Sequence, residues 1–218
     1  MEAAVKGGQL ALVQQLIKLG NASTHNIPTL AIRYHQMAIL KQYLNGINQA
    51  NIKQQLPSLV NAAAEYNHVD ILDYLNSFNI VYPVNSNTEH CELATHIAAE
   101  KDAIEALQWL LQHKAPINDS CTGNTLLHKA SYPKQSASLN WLLTNKNAPN
   151  IAIDTQNNEG NTALHIASNY LNIDSVDLLL TYGASRTIQN NEGNTALHIA
   201  STSYLNNNNR ALIYKLLA

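Results

Sequence analysis

Four histidines, His96, His128, His165 and His198, stand at corresponding places along this chain of 218 residues. Imidazole is the commonest metal ligand and a general base poised near neutral pH. Two of the four also follow a cysteine: Cys91 lies upstream of His96, and Cys121 upstream of His128. Metal binding and thiol nucleophilic catalysis are therefore the first chemistries to weigh. Spacing argues against both. Each histidine falls on a different helix, and packed helices lie about 8–10 Å apart. Two nitrogens on one zinc, each at about 2.0–2.1 Å, would have to lie within about 4 Å of one another. A catalytic cysteine needs its histidine in hydrogen-bond contact and a third group to orient it, and neither Cys–His spacing matches a local signature. Gly-x-x-x-x-Gly-Lys-Ser/Thr, Gly-x-Ser-x-Gly and His-Glu-x-x-His are all missing from the sequence. No catalytic residue, metal ligand or cofactor is expected.

The elements around the histidines are more informative. Gly160-Asn161-Thr162-Ala163-Leu164-His165-Ile166-Ala167-Ser168 recurs letter for letter from Gly193 to Ser201, an offset of 193 − 160 = 33. A near copy begins at Gly123, 160 − 123 = 37 residues upstream. A period near 33 indicates stacked supersecondary units. Each unit reads as two helices of roughly ten residues, too short to be stable alone in water. Val176, Leu178, Leu179 and Leu180 give a second helix an apolar face that only a neighbouring unit can cover. The motif threonine is an N-cap candidate. Ala63, Ala64, Ala167, Ser168, Ala200 and Ser201 are small where adjacent first helices must approach. Gly123, Gly160, Gly183 and Gly193 suit turns that need positive φ. Extra residues fall in loops, about four of them within 147–155 and an asparagine tract at 206–209.

The runs Thr162-Ala163-Leu164-His165-Ile166-Ala167 and Thr195-Ala196-Leu197-His198-Ile199-Ala200 resemble the Thr-Pro-Leu-His-x-Ala signature of the ankyrin repeat. Alanine replaces proline, which is helpful but not required at a first helical position. Weaker copies include Leu93-Ala94-Thr95-His96-Ile97-Ala98, the stretch 60–72, a degenerate helix pair at 30–44 and an opening unit ending at Gly20-Asn21. The resemblance implies an all-α ankyrin-repeat solenoid of stacked helix-turn-helix units with short hairpin turns between them. It would be one domain over 1–218, of about seven units at 1–25, 26–52, 53–87, 88–119, 120–156, 157–189 and 190–218. It also implies that the motif histidines are structural, each bridging backbone groups at the base of its turn, and that His68 is structural too. His25, His35, His90 and His113 lie outside any motif.

Composition narrows the function. A net charge of −2 with 13% charged residues argues against nonspecific nucleic-acid binding, which needs a concentrated positive patch. No apolar run reaches the ~18 residues of a membrane span, and the N-terminus lacks a basic, then apolar, leader. Two cysteines make no disulfide framework and read as free thiols in a reducing, cytoplasmic setting. The abundance of asparagine reads as a trace of genome composition, although asparagine also suits turns.

Two surfaces stand out for binding. Aligned on the motifs, Tyr34, Tyr66, Tyr132, Tyr170 and Tyr204 fall near the ends of successive first helices, with Asn169 beside Tyr170. Glu100 and Lys101 interrupt the series. In ankyrin repeats that end faces a concave groove, where tyrosine supplies contact area with few rotors. Packing beneath a neighbouring loop is the competing explanation. The turn tips form the second surface: Asn158, Glu159 and Asn161 recur as Asn191, Glu192 and Asn194. These are either contact residues or plain consensus turns.

The expected function is protein–protein interaction through the concave groove, by a monomer with a protein partner and with neither nucleic acid nor membrane. Asparagine-rich, degenerate arrays of this kind resemble secreted effectors of intracellular bacteria, which act in the host cytosol. The alternative is the substrate-recruiting half of a multidomain enzyme. It arises because the chain stops at Lys215-Leu216-Leu217-Ala218, where the last helix has no following unit to cover it.

Overall fold

The computed structural model describes residues 1–18, 26–79, 93–117, 121–132, 136–145, 147–202, 213 and 215–217. Two compact units divide the chain, Met1–Pro83 and Val84–Ala218. The regular elements among the described residues are helices, paired and stacked as an ankyrin-type array requires.

In the first unit the helices are α1 (Glu2–Lys6), α2 (Leu10–Lys18), α3 (Ile27–Arg33), α4 (Met37–Asn45), α5 (Gln49–Glu65) and α6 (Val69–Asn76). Helix α3 packs between α1 and α5, while α2, α4 and α6 each pack on the partner of their own pair. Helix α5 is the longest and starts ahead of residue 53. Asn48 caps it by accepting from the Asn51 amide at 2.8 Å, and it continues through Pro57. Its later turns bury Ala63 and Ala64 completely.

In the second unit the helices are α7 (Ala94–Glu100), α8 (Ile104–Gln112), α9 (Leu126–Ala130), α10 (Ala137–Thr144), α11 (Ala163–Asn169), α12 (Ile173–Thr181) and α13 (Ala196–Thr202). First helices stack in the order α7, α9, α11, α13, and second helices α8, α10, α12 pack behind them. Small side chains permit the approach: Ala98, Ala130, Ala167, Ser168 and Ala200 are inaccessible, whereas Ser201 is exposed. Leu107, Leu110, Leu139, Val176 and Leu179 fill the space behind. Burying one such side chain is worth roughly 1.5–3 kcal/mol, which offsets the cost of nucleating such short helices.

Caps fix where these helices begin. Thr125 and Thr162 each close a capping box with the histidine three residues on. The unit at 88–119 departs from this pattern. Leu93 holds the cap position there, and Thr95 is buried with its hydroxyl donating to the Pro116 carbonyl at 2.6 Å. A carboxylate from a neighbouring unit substitutes for a local cap elsewhere: Asp102 accepts from the Ser138 amide, 2.7 Å away, at the start of α10.

Turns inside the helix pairs require a left-handed residue. Gly8 fills that place in the first pair, and His35, Asn67, Asp102 and Leu171 fill it in others at φ of 53–58°. A leucine in this conformation costs about 1–2 kcal/mol, which adjacent burial must offset.

Cys121 is disulfide-bonded and not the free thiol expected from cysteine count alone. Counting could not reveal this, because a bridge depends on which loops the stacking brings together. Cys91, Tyr204 and the tract 206–209 lie outside the described residues.

Candidate protein-binding groove

Asparagine side chains build the turn tips of the second unit. Asn157 Oδ1 accepts from the amides of Glu159 (3.0 Å) and Asn161 (2.9 Å), closing the turn on itself. Its Nδ2 donates to Asn124 Oδ1 of the preceding unit at 2.9 Å. Asn190 repeats the arrangement with the Glu192 and Asn194 amides, and donates to Asn161 Oδ1 at 2.9 Å. Asn158 and Asn191 complete the ladder by donating to the carbonyls of Cys121 and Asn158 at 2.8 and 2.9 Å. Asparagine is thus physically required at these places, and genome composition does not account for it there. Glycine is required as well. At Gly160 (φ 76°) a Cβ would lie 2.6 Å from the Asn191 amide nitrogen, so no other residue lets the next turn approach.

Histidines hold the bases of the turns. His128 Nδ1 accepts from the Thr125 amide at 3.1 Å, and its Nε2–H donates to the Asn161 carbonyl at 2.8 Å. His165 does the same with Thr162 and Asn194, at 3.1 and 3.0 Å. A backbone N–H at Nδ1 demands a bare nitrogen there, so each ring is neutral with its proton on Nε2. Burial pushes both rings below the ordinary histidine range, although the carbonyl bonds offset part of the shift. His96 reaches the Ile117 carbonyl at 3.0 Å, and His198 accepts from the Thr195 amide at 3.1 Å. Among the described residues no group of three or more His, Cys, Asp or Glu could hold a metal ion.

Above these turns the tyrosines meet. Tyr132 and Tyr170 lie with ring centroids 5.0 Å apart, tilted by 42°. Tyr170 is 52% exposed and Tyr132 half-buried. Burial raises the Tyr132 hydroxyl above its usual range, and the charges of Tyr170, Glu159 and Glu100 raise it further. Lys129 stands 5.2 Å from the Tyr132 ring centre and 3.6 Å from a Glu100 oxygen. Glu100, which breaks the tyrosine series, therefore joins the same surface through Lys129.

These groups open onto one groove of ≈ 710 Å³. Seven residues singled out from the sequence line it: Tyr132, Glu159, Asn161, Asn169, Tyr170, Glu192 and Asn194. The groove also takes in Asn158 and Asn191, which belong to the repeated turn tips read from the sequence, and Asn190, Ile166, Ile199 and Thr202, which sequence reading did not select. The asparagines had a signal in their exact repetition at 33 residues. Ile199 and Thr202 had none, because they line a surface only once α13 is packed.

Tyr34 and Tyr66 belong to the first unit and are engaged differently. The Tyr34 hydroxyl donates to Glu2 Oε1 at 2.6 Å, which ties it to α1 and raises its pKa. Lys6 and Arg33 each stand 5.6 Å from its ring centre. Tyr66 flanks His68, which stacks on His35 at 4.2 Å; His35 in turn bonds Asp70 at 2.8 Å. His35, counted outside any motif, is therefore part of a small aromatic and ionic cluster.

Residues 146–200 match the family of ankyrin repeats in its many-copy form, and residues 62–153 match ankyrin repeats in three copies. Synphilin-1 of Mus musculus is 31% identical over 135 residues, covering 60% of this chain and 14% of that protein. The chain therefore aligns with only a small part of that relative. No described helix is long and apolar enough to cross a membrane.

Proposed function

This chain belongs to the ankyrin repeat family, and from that premise we propose that it is an interaction module whose protein partner docks in the groove between the turn tips and the ends of α9, α11 and α13. Ankyrin repeats generally mediate protein–protein interaction. The observation that carries the reading is that two tyrosines of the series, Tyr132 and Tyr170, and the repeated tips line the same cavity. In this reading the chain binds and does not catalyse. The monomer is the binding species. Asparagine-rich composition and the likeness to ankyrin arrays of secreted bacterial effectors support delivery into a host cell. Cytosolic residence rested partly on free thiols, and the bonded Cys121 removes that support.

Truncation of aromatic anchors tests the groove. Central anchors often cost 2 kcal/mol or more, that is about thirty-fold in affinity. Tyr132→Ala with Tyr170→Ala should weaken partner capture by that order while the far-UV spectrum stays unchanged. Asn140→Ala, exposed on α10 behind the groove, serves as the control. Equal damage from the control would place the contact elsewhere.

A further inference from the structure

We propose that the occupant of this groove is an extended basic segment of the partner protein, with lysine or arginine side chains about three residues apart that engage Glu159 and Glu192. The inference rests on the groove being the docking site. Its lining holds two carboxylates and no lysine or arginine, so the surface an incoming chain meets is acidic. Both glutamates are exposed. Each is held by one oxygen: Asn161 Nδ2 donates to Glu159 Oε2 at 2.9 Å, and Asn194 Nδ2 to Glu192 Oε2 at 3.1 Å. Among the described residues nothing engages the second oxygen of either. The carboxylates are thus oriented in advance and retain acceptor capacity for a cation.

Their spacing sets the register of the ligand. Glu159 and Glu192 hold equivalent places in adjacent units, and the Asn191 amide bonds the Glu159 carbonyl at 3.0 Å. Stacked units repeat every ~8–10 Å, whereas an extended chain advances about 3.3–3.6 Å per residue. Cations three residues apart match that repeat. The tilted Tyr132–Tyr170 pair supplies the apolar surface on which the stems of such side chains lie. Lys129 already takes up a position over the Tyr132 ring, while the half-exposed Tyr170 has no such cation among the described residues.

Fluorescein-labelled nine-residue peptides test this by fluorescence anisotropy at low salt. Each carries two arginines, at separations from one to six, in an alanine–serine background; a two-glutamate peptide is the counterpart. The separation of three should bind tightest, at least ten-fold above the glutamate counterpart. Glu159→Gln with Glu192→Gln should abolish that preference without changing thermal unfolding, because glutamine still accepts from Asn161 and Asn194. Equal binding of the acidic peptide, or unchanged binding by the double glutamine variant, overturns the basic occupant. If Tyr170→Ala then still weakens capture of the natural partner, the groove stands and only its occupant is wrong. If neither set of substitutions matters, the groove assignment falls with it.

Discussion

His165 and Asn194 are joined across a unit boundary: the histidine Nε2–H donates to the asparagine carbonyl at 3.0 Å, while Nδ1 accepts from the Thr162 amide at 3.1 Å. One side chain therefore pairs two backbone groups belonging to two consecutive turns. His165→Ala leaves the Thr162 amide and the Asn194 carbonyl unsatisfied, and each such loss costs about 1–3 kcal/mol. The urea midpoint should fall with little change in its slope. An unchanged midpoint would mean that water replaces the ring at no cost.

Acid should weaken the second unit. Burial holds His128 and His165 below the ordinary value, whereas in the unfolded chain each titrates near 6.5. As pH falls, the unfolded chain takes up these protons first. The stability contributed by the neutral rings is complete above about 6.5 and is lost as pH falls below it, toward the folded values. Urea midpoints measured from pH 7.5 to 5.5 should decline, and less so in His165→Ala. A midpoint that holds or rises through that interval contradicts the bridging assignment.

Two glycines with the same backbone conformation should respond differently to alanine. Gly160 and Gly193 have φ of 76° and 80°, so each substitution carries the left-handed cost of about 1–2 kcal/mol. Only at Gly160 would the new methyl strike the backbone of the next turn, at Asn191; at Gly193 it meets open space. Gly160→Ala should therefore lower the melting temperature more than Gly193→Ala does. Equal losses would show that the turns can separate without penalty.

What could be read in advance divides along the same physical line. The helix pairs, their threonine caps at Thr125 and Thr162, and the glycine turns follow from local pattern, and they stand where the periodicity put them. Contacts that depend on which turn lies beside which were not legible. Asn157 and Asn190 each close their own turn and also reach the unit before, a double role invisible in composition. Asp102 caps a helix 36 residues away, and Cys121 is bonded where isolated thiols were expected. Tyr34 and Tyr170 looked equivalent from the motif alignment. Glu2 engages the first, whereas the second is half-exposed beside Tyr132, because the residues packed around each helix end differ.

Hydrogen exchange of the chain, alone and with its captured partner, bears most directly on the groove as the binding surface. The partner should slow exchange in residues 157–170 and 190–202, which carry the tips, Tyr170 and the exposed side of α13, while α8 and α10 keep their free-state rates. Protection concentrated in α8, α10 and α12, with the turn tips unchanged, would place the partner on the opposite face and contradict the assignment.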